Sequence, residues 1–154
     1  MAEKTLAERD QAVIWHPYTQ MHRAALPIPI VRGEGVYLIA ENGRKYIDAV
    51  SSWWVNNHGH AHPYIAEKVA EQLRTLEHVI FAGFTHPSAV ELAERLLAIL
   101  PDNQKRVFYS DNGSTAVEVA LKMCLQYWSN IGQPRTKVLA FHDSYHGDTF
   151  GAMA

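Results

Sequence analysis

Three consecutive stretches decide the fold class. Arg106-Val107-Phe108-Tyr109-Ser110-Asp111-Asn112-Gly113-Ser114-Thr115 comes first, then the helix-forming run from Ala116 to about Ser129, then Lys137-Val138-Leu139-Ala140-Phe141. Residues 106–110 and 137–141 are β-prone, residues 111–115 are small and polar, and the run after Ala116 has an apolar face. Strand, loop, helix, strand is the order of a βαβ unit, which implies a parallel sheet with covered faces. The expected class is therefore α/β. Ligands of open α/β sheets sit beyond the carboxyl ends of the strands. That places the 111–115 loop and the loop His142-Asp143-Ser144-Tyr145-His146-Gly147-Asp148 at one sheet edge. Unpaired N–H groups and the positive end of the dipole at a helix start favour an anion. Gly113 allows a phosphate close to the backbone, and Ser114 and Thr115 offer hydroxyl donors. No Gly-Lys-Ser/Thr follows and no G-x-G-x-x-G occurs, so this is neither a Walker loop nor a dinucleotide fingerprint. Taken alone, the loop is equally an ordinary N-cap with a glycine turn.

Working outward, Thr5-Leu6-Ala7-Glu8 has capping-box spacing and predicts a first helix that ends before Pro17. Leu26-Pro27-Ile28-Pro29-Ile30 reads as extended chain. Residues 36–50 read as a hairpin, with Asn42-Gly43 supplying the positive φ values of a tight turn. A helix follows Pro63 with Ile65, Val69, Leu73 and Leu76 as its apolar stripe. Another runs from about Ser88 to Leu100, opened by a Ser88–Glu91 capping box and closed by Pro101. A further helix is expected to begin at Gly151-Ala152-Met153.

The chain has 154 residues, 47% hydrophobic and 19% charged, which suits a packed core rather than disorder. Lys+Arg 14 against Asp+Glu 16 gives 14 − 16 = −2, so binding nucleic acid by bulk phosphate attraction is not expected. No apolar run approaches the ~20 residues that span a bilayer, so no membrane association is expected. The polar N-terminus MAEKTLAERDQ carries no signal-peptide apolar region. The single cysteine, Cys124, cannot form an internal disulfide, and a reducing cytoplasm is the simplest location.

Two further constellations could carry chemistry. His58, His60 and His62 would share one face of a strand and could hold zinc. Gly59 and Pro63 instead suggest a turn, with His62 beside the start of the following helix. The aromatics Trp15, Tyr18, Trp53, Trp54 and Tyr145 could stack on a flat ring, line an apolar slot or hold an organic cation. Ordinary packing is the alternative for each.

Ser110-Asp111-Asn112-Gly113-Ser114-Thr115-Ala116-Val117-Glu118, with Ser144-Tyr145-His146-Gly147, resembles the class III aminotransferases. Trp15-His16-Pro17-Tyr18-Thr19-Gln20, Ser51-Ser52-Trp53-Trp54, Leu121-Lys122-Met123, Gln126-Tyr127-Trp128 and residues 145–153 extend the resemblance over nearly the whole chain. The family uses pyridoxal 5'-phosphate on the fold-type-I scaffold. The resemblance implies that residues 1–60 belong to the small domain and 61–154 open the large cofactor-binding domain. It implies that Gly113 and Ser114 bind the cofactor phosphate and that Tyr145 stacks on the pyridine ring. Tyr18, Trp53 and Asp148 would line the substrate pocket, with Trp54 beside it.

The added segments imply the members that move an amino group from S-adenosylmethionine to 7-keto-8-aminopelargonate in biotin synthesis, as homodimers. None of Lys4, Lys45, Lys68, Lys105, Lys122 and Lys137 stands in the family's Schiff-base motif. That lysine is expected beyond Ala154, so the chain is expected to be the N-terminal portion of such an enzyme and inactive by itself. The alternatives are a class III aminotransferase with another donor, a non-catalytic remnant, or a metal hydrolase built on the histidines.

Overall fold

The structure, a computed structural model, describes residues 3–153. The chain forms two compact units, one ending at Val79 and the other beginning at Ile80.

The first unit opens with α1 (Leu6–Val13). The Thr5 hydroxyl accepts the Glu8 N–H, and the Glu8 carboxylate accepts the Thr5 N–H at 2.7 Å, the expected capping box. Strands β1 (Ile30–Glu34), β2 (Tyr37–Ala40) and β3 (Lys45–Ile47) form an antiparallel sheet in that order. The pairs Glu34↔Tyr37 and Leu38↔Tyr46 set the register, and a bulge lies between Ile30 and Arg32. The turn between β2 and β3 differs in detail from expectation. Gly43 alone takes positive φ (81°), while the Asn42 side chain accepts the Arg44 N–H at 3.0 Å. The Ala40 N–H reaches the Arg44 carbonyl at 2.9 Å, so Glu41, Asn42 and Gly43 make the loop, with glycine at its left-handed position, rather than a two-residue turn.

After β3 the chain enters α2 (Ser51–Trp54), a single turn of the opposite hand to every other helix here. Ser51, Ser52, Trp53 and Trp54 have φ of 49°, 47°, 67° and 64°. The turn closes with the Trp54 N–H on the Val50 carbonyl at 2.9 Å. The left-handed conformation costs L-residues roughly 1–2 kcal/mol each, so something outside the turn must hold it. Next, α3 (Pro63–Thr75) has Pro63 in its first turn and His62 as N-cap. Of its predicted stripe, Ile65, Val69 and Leu73 lie on the helix but are exposed, Leu76 is the C-cap past its end, and no element of its unit packs on the helix among the described residues.

The second unit holds α4 (Pro87–Ile99) and α5 (Gly113–Asn130). Helix α4 begins one residue earlier than expected. Pro87 sits in its first turn with its ring already at helical φ, and His86 is the N-cap, displacing the predicted Ser88–Glu91 box. Helix α5 also starts early, at Gly113, because Asn112 caps it. Gly132, at φ 73°, stands just past its end, where a left-handed residue satisfies the last carbonyls.

The two predicted parallel strands do not form among the described residues. Neither 106–110 nor 137–141 makes a strand ladder, and Leu139 and Phe141 are 100% and 88% exposed. An extended segment becomes a strand only when another backbone lies about 4.8 Å away to share its bonds. The antiparallel sheet forms because its strands are consecutive and joined by short turns. No helix among the described residues is long and apolar enough to cross a membrane.

A Cβ on Gly33 would sit 2.7 Å from the Cβ of His60. Gly33→Ala is therefore expected to destabilise the protein by about 1–3 kcal/mol, the usual cost of overpacking. Urea unfolding reads this, and an unchanged midpoint would mean that His60 yields freely.

Candidate active site

Helix α5 is capped by a reciprocal pair. The Asn112 side chain accepts the Thr115 N–H at 3.0 Å, and the Thr115 hydroxyl accepts the Asn112 N–H at 3.2 Å. The Ser110 and Thr115 hydroxyls are 2.6 Å apart. Thr115 is thereby committed to the cap. The N–H groups of Gly113 and Ser114 make no hydrogen bond to any described residue, as the first turn of a helix dictates. Apart from its chain neighbours and its own helix backbone, no described residue lies within 4 Å of where a Gly113 Cβ would stand. Two backbone donors at the positive end of an 18-residue helix are thus left without a partner among the described residues.

The Ser114 hydroxyl points elsewhere. It accepts the Thr149 N–H at 2.9 Å and shares a 2.7 Å hydrogen bond with the Thr149 hydroxyl. One turn on, the Glu118 carboxylate accepts the N–H groups of Gly151 at 2.6 Å and Ala152 at 3.0 Å. These bonds pin residues 149–152 along the first turns of α5 and bring the loop before them to the helix N-terminus. Gly147 fits there because it has no side chain. A Cβ would strike the Ser114 hydroxyl, and its φ of 127° suits glycine. Within the loop, the Tyr145 hydroxyl donates to Asp148 Oδ2 at 2.9 Å. The predicted juxtaposition of the 113 and 145 loops is therefore present, made by side-chain bonds and not by a shared sheet edge.

In the first unit, Tyr18, Trp53 and Trp54 come together. The rings of Tyr18 and Trp53 stack at 6.3 Å and 18°, and those of Trp53 and Trp54 lie 5.3 Å apart, tilted by 54°. All three are exposed. Tyr18 is carried by a loop tied to α1 through His16 Nε2 and Asp10 Oδ2 at 2.6 Å. The tryptophans are carried by the left-handed turn. Asp48 Oδ2 accepts the Ser52 hydroxyl at 2.6 Å and lies 2.8 Å from His60 Nε2. The Ser52 hydroxyl, the Ser52 backbone and His60, in that order, hold the Asp48 carboxyl at about 2, below its ordinary 3.8.

The histidine cluster does not assemble. His60 turns to Asp48, and His58 meets His62 edge-on at 6.3 Å between centroids. No group of three His, Cys, Asp or Glu among the described residues is placed to hold a metal. Asp48 was not singled out by sequence, and Ser52, Glu118, Gly147 and Thr149 stood in the quoted motifs without a role of their own. The short spacing Asp48 to Ser52 was a usable signal, but the partners of Glu118 lie 33 and 34 residues away.

The family model "Aminotransferase class-III" matches residues 18–154. The chain belongs to the class III aminotransferases. Over 92% of its length it is 59% identical to the adenosylmethionine-8-amino-7-oxononanoate aminotransferase of Synechococcus elongatus, covering 33% of that protein. It is 46% identical to the enzyme of that name from Buchnera aphidicola subsp. Schizaphis graminum, over 94% of this chain and 34% of that one. The crystal structure of the Methanocaldococcus jannaschii enzyme of that name superposes with a TM-score of 0.91 at 44% identity, over 96% of this chain and 34% of that one. An omega transaminase from Pseudomonas jessenii in complex with PMP superposes at 0.78 and 30% identity, over 84% and 29%. The fold is thus part of the fold-type-I α/β scaffold, and the chain spans about a third of the length of the curated relatives it matches.

Bonds from the Thr149 hydroxyl and from the Gly151 and Ala152 amides lower the pKa of Glu118 from its ordinary 4.5. A carboxylate with a depressed native pKa stabilises the fold above its unfolded pKa and ceases to do so as pH falls through the native one. The stability gap between the native protein and Glu118→Gln is expected to be constant above pH 4.5 and to narrow below it. Urea midpoints against pH measure this, and a gap that widened on acidification would contradict the assignment.

Proposed function

We propose that this chain supplies the phosphate grip, the ring-stacking face and part of the substrate slot of an aminotransferase. The proposed reaction moves an amino group from S-adenosylmethionine to 7-keto-8-aminopelargonate, giving 7,8-diaminopelargonate in biotin biosynthesis. The observation that carries it is the N-terminus of α5, where the Gly113 and Ser114 amides have no partner among the described residues and the Tyr145–Asp148 loop is pinned beside them through Thr149. The shared name of the most similar relatives supports the choice of substrates.

The residues fit pyridoxal 5'-phosphate. A dianionic phosphate suits the Gly113 and Ser114 amides and the helix dipole. The cofactor, when bound, supplies the conjugated ring that carries the amino group between donor and acceptor. Ser114 contributes its amide to the phosphate, and its hydroxyl fixes Thr149. Tyr145 would lie against the pyridine, and its hydroxyl bond to Asp148 would help orient it there. Tyr18, Trp53 and Trp54 offer aromatic faces to a sulfonium cation and to the apolar chain of the acceptor. The enzyme is proposed to act as a cytoplasmic homodimer.

A second reading, a different amino donor, is favoured by the omega transaminase likeness: a thermostable 4-fold mutant from Pseudomonas jessenii superposes with a TM-score of 0.89 at 31% identity. Protein expressed from the complete reading frame, supplied with both proposed substrates, is expected to yield diaminopelargonate by mass spectrometry. Product formed only with another amine would decide for the second reading, and no product with any amine would refute both.

Tyr145→Phe is expected to keep the cofactor bound while turnover falls roughly tenfold, the size of a lost hydrogen bond to a charged group. Cofactor absorbance and steady-state kinetics measure the two separately. Ser114→Ala keeps both amides but releases Thr149, and is expected to weaken cofactor affinity by about 1 kcal/mol, the net size of an ordinary hydrogen bond. An unchanged Kd by absorbance titration would show that the Ser114–Thr149 bonds do not position the site.

A further inference from the structure

Four consecutive non-glycine residues in the left-handed region are rare, and such outliers persist only where the surroundings over-determine them. Here they are Ser51 to Trp54, and the last two are the exposed tryptophans. The surroundings are visible. The Asp48 side chain, 6% exposed, takes the Ser52 hydroxyl from inside the turn, and its backbone carbonyl takes the Ser51 N–H at 3.2 Å. His60, 14% exposed, meets the same carboxylate oxygen. His60 is itself fixed to the sheet. Its N–H donates to the Gly35 carbonyl at 2.8 Å, and its carbonyl accepts the Gly35 N–H at 3.1 Å. Gly33 leaves the space its ring occupies. A continuous path of bonds thus runs from the β1–β2 turn through His60 and Asp48 to Ser52.

We infer that Asp48, braced by His60, is a positioning residue: it clamps the left-handed turn through Ser52 and so sets the wall that Trp53 and Trp54 present to substrate. The inference rests on the aromatic slot being the substrate wall. An ordinary right-handed turn would swing both indoles away from their present directions and break the stack of Trp53 on Tyr18. Neither Asp48 nor His60 needs to touch substrate for this role.

The test uses the protein expressed from its complete reading frame, loaded with cofactor. Two indoles 5.3 Å apart and skewed by 54° give an exciton couplet in far-ultraviolet circular dichroism. Trp54→Phe defines that signal by removing it. Asp48→Asn and Ser52→Ala are each expected to lose most of the couplet. Both are expected to raise the KM for the amino acceptor roughly tenfold, the scale of a lost charged hydrogen bond, with kcat held within about twofold. Ser52→Ala deletes one exposed hydroxyl, so it carries the test if Asp48→Asn does not fold. A couplet retained in both variants overturns the clamp. A couplet lost with KM unchanged overturns its role in substrate binding. If the unsubstituted protein transaminates neither substrate, the function proposed above fails, and the couplets alone still decide whether Asp48 holds the turn.

Discussion

Backbone that leaves regular structure must find hydrogen-bond partners elsewhere, and two carboxylates meet that need in this chain. The Asp48 carboxylate takes the Ser52 hydroxyl and meets His60 while its backbone carbonyl takes the Ser51 N–H, and the Glu118 carboxylate gathers the amides of 151 and 152. Each binds a short irregular segment to a regular one. Each therefore converts a loop, whose side chains would otherwise sample many directions, into a fixed support for aromatic residues.

The same constraint explains what the helix N-terminus offers. Asn112 and Thr115 spend their side chains on capping, and Ser114 spends its hydroxyl on Thr149. What remains free is the pair of first-turn amides, whose charge and direction are properties of the helix and not of a side chain. The proposed phosphate grip would need glycine for access more than serine for donation. Gly113 and Gly147 fill complementary parts, one leaving room above the helix and the other leaving room for Ser114.

Local signals in the sequence translated well where the interaction itself is local. The partners of the Thr5–Glu8 box are 3 positions apart, Pro63 opens a helix, and Gly43 turns the hairpin. The signals that misled were also local. Ser88 and Glu91 have capping-box spacing, yet Pro87 sets the start of α4. Residues 106–110 and 137–141 have strand composition, yet a strand is a relation between two backbones and the described residues provide no partner for either. The His58-x-His60-x-His62 pattern, which Gly59 and Pro63 already marked as a turn, has Gly59 at φ 85° and His60 against the Asp48 carboxylate.

By itself the sequence determined the Thr5–Glu8 cap, the start of α3 at Pro63, the hairpin, and through its motifs the class III aminotransferase family. Those features are written in residue types a few positions apart, where covalent geometry and side-chain reach decide the outcome. Only the tertiary structure decided that Ser114 faces Thr149, that Asp48 joins Ser52 to His60, and that Ser51–Trp54 coils left-handed. The Ser114 and His60 bonds cross 35 and 12 residues, and no local periodicity encodes which distant donor a given acceptor will meet. The left-handed turn is the clearest case, because local propensity opposes it and the bonds around Asp48 counter that preference.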